Sequence, residues 1–276
     1  QASGNFAFSS GGGMELYLAA GTAARNGVVS AMLALSGARG AADPLETPDG
    51  GFFPMTSAGG SPDILVEGLG RQFRLLDVCI KMYPTCHSTQ TGIDAALNLR
   101  ATHGIRPSDV ERVEVRAGEI TRIQCGWPFE PGPPSRMIFH MGYAIGVALR
   151  DGKVQPAQFD GAAVHDAEMQ RIARATTVVE DPALTAIYED CKPCDVTVFL
   201  RDGRTLRERV DYCRGEPENP ATGEQVMAKF DDLVAPHLPP GAAARIAEFV
   251  LSIEERGDLR PLTDLLAAAG GVLPRT

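Results

Sequence analysis

The stretch Lys81-Met-Tyr-Pro-Thr-Cys-His-Ser-Thr-Gln-Thr-Gly-Ile-Asp-Ala-Ala-Leu-Asn-Leu-Arg100 changes from a strand-like pattern to a helical one. Residues 73–83 predict a strand, and Pro84 ends it because proline has no N–H to donate to a sheet. Residues 89–100 predict a helix, with Asp94 near the start, where a negative charge suits the helix dipole. One face of this helix is formed by Ile93, Ala96, Leu97 and Arg100.

The apolar spacing predicts further helices on both sides of this stretch and strands in the middle of the chain. A helix over 19–36 carries Val28, Met32 and Leu35 at spacings of four and three, whereas the prolines of 125–135 predict a loop. The other predicted helices cover 137–150, 167–174, 223–234, 242–252 and 261–268. The predicted strands cover 110–115, 176–179, 195–200 and 205–210, and Arg201-Asp-Gly-Arg204 joins the last two in a hairpin.

This order of elements predicts a mostly α fold with an inserted α+β lobe. The two helical ends, residues 1–70 and 216–276, would belong to one helical domain. Residues 71–215 would form the lobe. The chain has no initiator Met, so we expect it to be processed, truncated or only partly covered.

Composition and charge restrict the class of protein. The chain has 276 residues, 44% hydrophobic and 22% charged, which is typical of globular proteins. Its net charge of −9 disfavours nucleic acid as a partner, although a local basic pocket could still bind a small anion. We expect no apolar run to reach the ~18 residues that a membrane span needs. The six cysteines are dispersed as in reduced thiols, which predicts a cytoplasmic protein.

Five phrases occur across nearly the whole chain in a characteristic order. They are Gly21-Thr-Ala-Ala-Arg-Asn-Gly27, Lys81-Met-Tyr-Pro-Thr-Cys86 with Gly92-Ile-Asp94, Tyr143-Ala-Ile-Gly-Val-Ala-Leu-Arg-Asp-Gly152, Gly215-Glu-Pro-Glu-Asn-Pro220 and Lys229-Phe230. Together they resemble the MmgE/PrpD family. That family includes dehydratases of 2-methylcitrate, decarboxylases of cis-aconitate and epimerases of iminodisuccinate.

The resemblance implies a helical domain, a smaller α+β lid and an active site between the two. It also implies a homodimer that needs neither a metal nor an organic cofactor. The resemblance begins partway into the family pattern, after a helical segment that carries Asp and His residues of the family's active site. We therefore expect this chain to be the rear portion of a longer enzyme, or to need a partner chain that supplies the missing helices.

Lys81 is the first candidate for catalysis. Reactions on small polycarboxylates need fixed cations that hold the carboxylates and a group that moves a proton beside one of them. A lysine can serve in either role, because partial desolvation makes it lose its proton more readily. The alternative is a surface lysine with a solvated head.

Cys86 and His87 follow Lys81 in the turn before the helix. We predict His87 as a proton carrier or as a hydrogen-bond donor to a carboxylate, and Cys86 as a residue that lines the substrate pocket. The alternative is a packed cysteine with a histidine near a helix start, because sequence neighbours rarely point at each other.

The resemblance adds four candidates. Gln90 occupies the position of a histidine that is common in the family, and is predicted to bind substrate. His140 stands where the family usually has a hydroxyl residue and is predicted as a third catalytic group, with a structural histidine as the alternative. Arg25 and Asn26 are predicted to bind a substrate carboxylate, or else to bridge helices.

Cys191-Lys-Pro-Cys194 has the spacing of a metal-binding or redox pair. Zinc needs four ligands, and a second pair at suitable spacing is missing from the sequence. A thioredoxin-like context is also absent. We therefore predict a turn between a helix and a strand, and no metal site.

The sequence thus predicts a cofactor-independent hydro-lyase that acts on a small di- or tricarboxylate. Proton abstraction next to a carboxylate would be its central step. An epimerase or a decarboxylase of a related carboxylate is the alternative within enzymes. A non-catalytic remnant, or a subunit that needs a partner, is the alternative of a different class.

Overall fold

The computed structural model describes residues 15–57, 62–234 and 236–270, and a mixed four-stranded sheet lies at its centre. The strands are β1 (Val110–Ala117), β2 (Thr176–Glu180), β3 (Cys194–Leu200) and β4 (Thr205–Val210). They are arranged in the order β2-β1-β3-β4, with β1 and β2 parallel and the other two pairs antiparallel.

Helices precede, connect and follow these strands. They are α1 (Glu15–Leu35), α2 (Phe52–Thr56), α3 (His87–His103), α4 (Glu119–Cys125), α5 (Pro134–Met137), α6 (Met141–Asp151), α7 (Gly161–Val164), α8 (Ala167–Arg174), α9 (Pro182–Thr185), α10 (Gly223–Val234), α11 (Ala242–Leu251) and α12 (Arg260–Gly270). Turns of 3₁₀ helix cover Pro62–Leu65, Arg74–Asp77, Pro107–Asp109, Pro156–Phe159 and Ile253–Glu255.

The core lies between one face of the sheet and a layer of three helices. The alternation of β1 turns Val113, Val115 and Ala117 inward and leaves Arg116 exposed. Helix α3 packs across β3 and β4, α8 packs on β1, and α6 lies between α3 and α8. Because α6 is apolar on all sides and buried from Met141 to Leu149, it forms the centre of this layer.

Most of the sequence-based elements are confirmed. The helices over 167–174 and 223–234 and the strand over 205–210 have the predicted bounds, and the hairpin between β3 and β4 forms at the predicted turn. The observed helices and small mixed sheet agree with an α+β arrangement. The division into a helical domain and a lid stays a prediction.

The strand predicted over 73–83 is wrong. A 3₁₀ turn forms at Arg74–Asp77, and the chain then runs in an irregular extended course to Cys86. Its Ile80 N–H donates to the Gly215 carbonyl at 2.9 Å, but among the described residues no strand pairs with it. Strand-like composition alone is not sufficient, because a strand needs a neighbour to satisfy its backbone groups.

The sequence also missed helix α4 and the short helix α5. Residues 137–150 were predicted as one helix, but α5 ends at Met137 and α6 begins at Met141. His140 lies at this break as the N-cap of α6, where its Nδ1 accepts a hydrogen bond from Tyr143 N–H at 3.0 Å.

Helix α1 and the chain that follows it expose many large apolar side chains. Val28, Met32 and Leu35 on α1 are 62%, 64% and 89% exposed, and Leu76 further along is 80% exposed. An apolar surface of this extent is typical of a region that another polypeptide covers.

One part of α1 also corrects the expectation about membrane spans. Leu18–Leu35 has a mean hydropathy of 1.2 over 18 residues, which is long and apolar enough to cross a bilayer. Only the length and composition of this helix point to a membrane span. A helix that is covered by protein in a soluble assembly can have the same length and composition.

Candidate active site

A cavity of about 920 Å³ opens between the segment from Lys81 to Ser88, helix α10 and residues 152–156. The chain has four lysines in all, and every one of them lines this cavity. They are Lys81, Lys153, Lys192 and Lys229. Arg214 adds a fifth cation, and Asp232 is the single acidic side chain among the lining residues. This space is called the lysine cavity below, and its wall is basic in a chain whose net charge is −9.

The Gln90 side chain holds the segment from Lys81 to Ser88, which forms one wall of the cavity, in place. This side chain is fully buried, and its amide accepts from Tyr83 N–H at 3.2 Å and donates to Thr85 Oγ1 at 2.7 Å. Cys86 N–H in turn donates to the Ile138 carbonyl at 2.9 Å. Lys81 Nζ donates to the Thr85 carbonyl at 3.3 Å, which folds the lysine back over its own segment.

A second anchor ties this segment to the turn that follows β4. The Asp94 carboxylate accepts from the Tyr83 hydroxyl at 2.5 Å and from Arg214 N–H at 2.7 Å. Burial raises the pKa of Asp94, although both hydrogen bonds act in the opposite direction. Helix α3 therefore holds both sides of the site, because Gln90 and Asp94 lie on its first two turns.

Cys86 caps the N-terminus of α3 and faces the lysine cavity. A hydrogen bond with the Cys125 thiol, hydrogen bonds with Ser88 and the charge of Lys81 lower the pKa of Cys86 to about 6, against the opposing effect of burial. The same bond to Cys86, followed by burial, raises the pKa of Cys125. The lowered pKa favours the thiolate form of Cys86, with the Cys125 thiol as the hydrogen-bond donor.

His87 pairs with Glu216 at the edge of the cavity. The distance from His87 Nε2 to Glu216 Oε1 is 3.0 Å, and Cys213 N–H donates to the other carboxylate oxygen at 2.9 Å. Burial lowers the pKa of His87, Glu216 opposes this effect, and Lys192 and Lys81 reinforce it.

The structure thus brings three of the candidates together at the cavity: Lys81, Cys86 and His87. It places Gln90 beneath the wall, where the amide is used by the protein itself and is not among the lining residues. Arg25 and Asn26 lie side by side on the exposed part of α1 and also do not line the cavity.

His140 lies behind the site, with only 2% of its surface exposed. The rings of Trp127 and Phe129 contact it edge-on, at centroid distances of 4.5 and 5.2 Å. It is not among the lining residues, whereas its neighbours Ile138 and Phe139 are. The observed geometry gives His140 the contacts of a helix cap rather than access to a substrate.

This burial predicts an acid-sensitive contribution to stability. Burial lowers the pKa of His140 from 6.5 to about 4. Between these values the unfolded chain binds more protons than the folded one, so stability falls as the pH drops from 6.5 towards 4. At about pH 4.5 the loss should be about 2 to 3 kcal/mol relative to pH 7. Urea unfolding at both pH values measures it.

His140→Asn is the matched control for this prediction, because asparagine keeps an N-cap acceptor without a titrating ring. The variant should lose less stability than the wild type over the same pH interval, by the amount assigned to the histidine. Equal losses in the two proteins would refute the assignment to His140.

The sequence interpretation missed four cations of the site, namely Lys153, Lys192, Arg214 and Lys229. Lys229 lies 148 residues from Lys81 in sequence, yet its ammonium donates to the Lys81 carbonyl. Lys192 lies 4.9 Å above the Tyr188 ring. The scarcity of lysine and the phrase Lys229-Phe230 were available signals, but only the fold brings these residues together.

Comparison with known proteins shows the family to which the chain belongs. Residues 83–255 match the family model described as the MmgE/PrpD C-terminal domain. The chain belongs to the MmgE/PrpD family, as its sequence phrases predicted.

Curated relatives agree with this assignment. Cis-aconitate decarboxylase of Aspergillus terreus is 26% identical over 270 residues, which cover 92% of this chain and 55% of the relative. Cis-aconitate decarboxylase of Homo sapiens is 24% identical, over 89% of this chain and 51% of the relative. 2-Methylcitrate dehydratase of Cupriavidus necator is 27% identical, over 80% of this chain and 47% of the relative. The chain spans about half the length of the curated relatives it matches.

Proposed function

We propose that this chain forms the carboxylate-binding part of a cofactor-independent lyase, a hydro-lyase that acts on a small di- or tricarboxylate. The observation that carries the proposal is the convergence of all four lysines on one cavity. A chain with a net charge of −9 would repel such a substrate unless a local cluster of cations attracted it. The relatives whose names specify carboxylate chemistry support the same class of substrate.

The proposed reaction removes water from the substrate. Lys81 takes a proton from the carbon next to a carboxylate, and the electron pair of that C–H bond forms a C=C bond. The C–O bond on the neighbouring carbon breaks, and the hydroxyl leaves as water after it accepts a proton from His87. Lys81 then returns its proton to solvent and His87 regains one, so that both groups are reset.

The remaining residues would hold the substrate rather than move protons. Lys192, Lys229 and Arg214 would bind the carboxylates, because each lines the cavity with a cationic group. Cys86 would line the pocket next to Lys81. We propose that Gln90 and His140 act as positioning residues, since Gln90 fixes the Lys81 segment and His140 caps α6.

Decarboxylation is the second candidate, favoured by the names of several curated relatives. In that reaction a C–C bond breaks, carbon dioxide leaves, and the electron pair accepts a proton from the enzyme. The same cations would serve, because both reactions build up negative charge next to a carboxylate. Epimerisation would need only proton removal and return to the other face.

We further propose that the exposed apolar surface of α1 and of residues 62–80 is covered in the active assembly. A second copy in a cytoplasmic homodimer, or a partner that supplies further helices, would bury side chains such as Met32 and Leu76. Arg25 and Asn26 could contribute to a substrate site only in such an assembly. If the chain lacks activity by itself, it would be a subunit that requires this partner.

Proton NMR of the purified chain in D₂O separates these reactions. With 2-methylcitrate, we expect a new vinyl or methyl signal from the dehydrated product. With cis-aconitate, loss of carbon dioxide would instead favour the decarboxylase. Replacement by deuterium of the C–H next to a carboxylate of 2-methylcitrate, without loss of water or carbon dioxide, would favour the epimerase. Calorimetric titration of the same carboxylates should show binding that weakens in Lys229→Gln. Binding without any turnover would leave the non-catalytic subunit, and absence of binding would refute the proposal.

A further inference from the structure

Four side chains that are able to bind a metal ion meet at the edge of the lysine cavity. Cys79, His87, Cys213 and Glu216 each offer one ligand atom, and these atoms all lie within 4.8 Å of one another. They are called the Cys-His-Glu cluster below. Thiolate, imidazole and carboxylate are the ligands that Zn²⁺ takes in proteins. We propose that the Cys-His-Glu cluster binds one Zn²⁺ ion with all four side chains as ligands.

Two of the six distances in the cluster are close to those of a tetrahedral zinc site, and the others are within 4.8 Å. Bonds of about 2.0 to 2.3 Å place the ligand atoms of a tetrahedron about 3.3 to 3.8 Å apart. His87 Nε2 lies 3.7 Å from Cys213 Sγ and 3.0 Å from Glu216 Oε1. These two pairs therefore need to move by only a few tenths of an ångström to become edges of such a tetrahedron.

The surroundings of the cluster suit a bound cation. Cys213 and Glu216 are buried, with 1% and 9% of their surfaces exposed, and Cys79 and His87 are half-buried. Two thiolates and a carboxylate in this position would repel one another strongly if nothing neutralised them. A Zn²⁺ ion would cancel two of the three negative charges, and the lysines of the cavity lie nearby to offset the third.

The ligands come from three separate parts of the chain. Cys79 lies in the irregular segment before Lys81, His87 begins α3, and Cys213 and Glu216 lie in the turn after β4. Four protein ligands without an open position define a structural site, so the metal would fasten these three parts together. Sequence spacing could not predict this, because only Cys213 and Glu216 are close in sequence.

Metal binding has a consequence for His87. Its Nε2 atom cannot hold Zn²⁺ and carry the proton of the proposed reaction at the same time. Loading with Zn²⁺ should therefore slow turnover if His87 is the proton carrier. Metal binding itself is measured without substrate, so the zinc site and the proposed reaction stand or fall separately.

Titration of Co²⁺ tests the site directly. The untagged chain is stripped of metal, kept reduced with a phosphine, and titrated while its absorption is recorded. We expect thiolate-to-cobalt charge transfer and the intense visible bands of tetrahedral Co²⁺, saturating at one ion per chain and disappearing when Zn²⁺ displaces it. Cys79→Ser, Cys213→Ser and Glu216→Gln should each weaken binding by more than about 100-fold, since even groups that only hydrogen-bond to a metal ligand contribute about 10- to 100-fold.

Cys191→Ser is the matched control, because it removes a cysteine of the Cys191-Lys-Pro-Cys194 pair and leaves the Cys-His-Glu cluster intact. The Cys191→Ser variant should keep the absorption bands of bound Co²⁺. Circular dichroism shows whether each variant is folded, and Glu216→Gln keeps an oxygen to accept from Cys213 N–H. Bands that persist in both Cys79→Ser and Cys213→Ser would overturn the proposal. So would bands lost in Cys191→Ser, or their absence from wild-type protein whose thiols titrate as reduced.

Discussion

Replacement of Lys81 by methionine should reduce kcat/KM by about 10²- to 10⁴-fold, which is the range for the loss of a general acid or base. Methionine keeps the unbranched stem but has no amine to accept or donate a proton. Lys81 itself is exposed and its ammonium makes one hydrogen bond, to the Thr85 carbonyl. The free energy of unfolding should therefore change by no more than about 0.5 kcal/mol. Steady-state kinetics and urea unfolding on the same preparation measure the two effects.

Lys153→Met is the matched control, because it removes a second amine from the same cavity. If the lysines act only by their summed charge, the two variants should lose activity equally and mainly through KM. If Lys81 moves the proton, its loss should fall mainly on kcat, whereas Lys153→Met should change kcat by less than about tenfold. Unchanged kcat in Lys81→Met would refute the role assigned to Lys81.

Gly215→Ala should destabilise the protein by about 2 to 4 kcal/mol. A Cβ atom at this position would lie 2.0 Å from the Ile80 carbonyl oxygen, which is backbone and cannot rotate away. Gly215 also has a φ of +100°, which L side chains rarely adopt. The clash would break the hydrogen bond from Ile80 N–H to Gly215 and shift the segment that leads into Lys81. Chemical denaturation measures the loss.

Gly203→Ala separates the effect of the positive φ from the effect of the clash with Ile80. Gly203 has a similar φ of +88°, but nothing lies within 4 Å of the Cβ that alanine would add. Its substitution should cost only the conformational strain, about 1 to 2 kcal/mol. If both alanine variants lose the same stability, the close approach of Ile80 to Gly215 is not what makes Gly215 necessary.

The parts of the fold that the sequence predicted correctly are those that local physics determines. The hairpin between β3 and β4 was predictable because Arg201-Asp-Gly-Arg204 contains the turn chemistry and both strands alternate. Residues 73–83 failed for the opposite reason. Their composition suits a strand, but whether a strand forms depends on a partner elsewhere in the chain, and among the described residues no strand pairs with them.

The same distinction applies to the site. Lys81, Cys86 and His87 were found because they are neighbours in one segment that resembles the family's. Gln90 and His140 were named by position, but burial determines what a polar side chain contacts. The Gln90 amide bonds to groups of Tyr83 and Thr85, and His140 Nδ1 accepts from a backbone N–H. Lys192, Lys229 and Glu216 could not be assigned, since their proximity to Lys81 and His87 exists only after folding.

The confinement of every lysine to one cavity also makes the chain unusually simple to label. An amine-reactive reagent finds side-chain amines only at Lys81, Lys153, Lys192 and Lys229, so each adduct on a side chain reports on this cavity. Peptide mass spectrometry can rank the four by their rates of modification with and without a carboxylate ligand. Only four of the twenty-six Lys and Arg residues are lysines, and the modification of each one reports on the candidate active site.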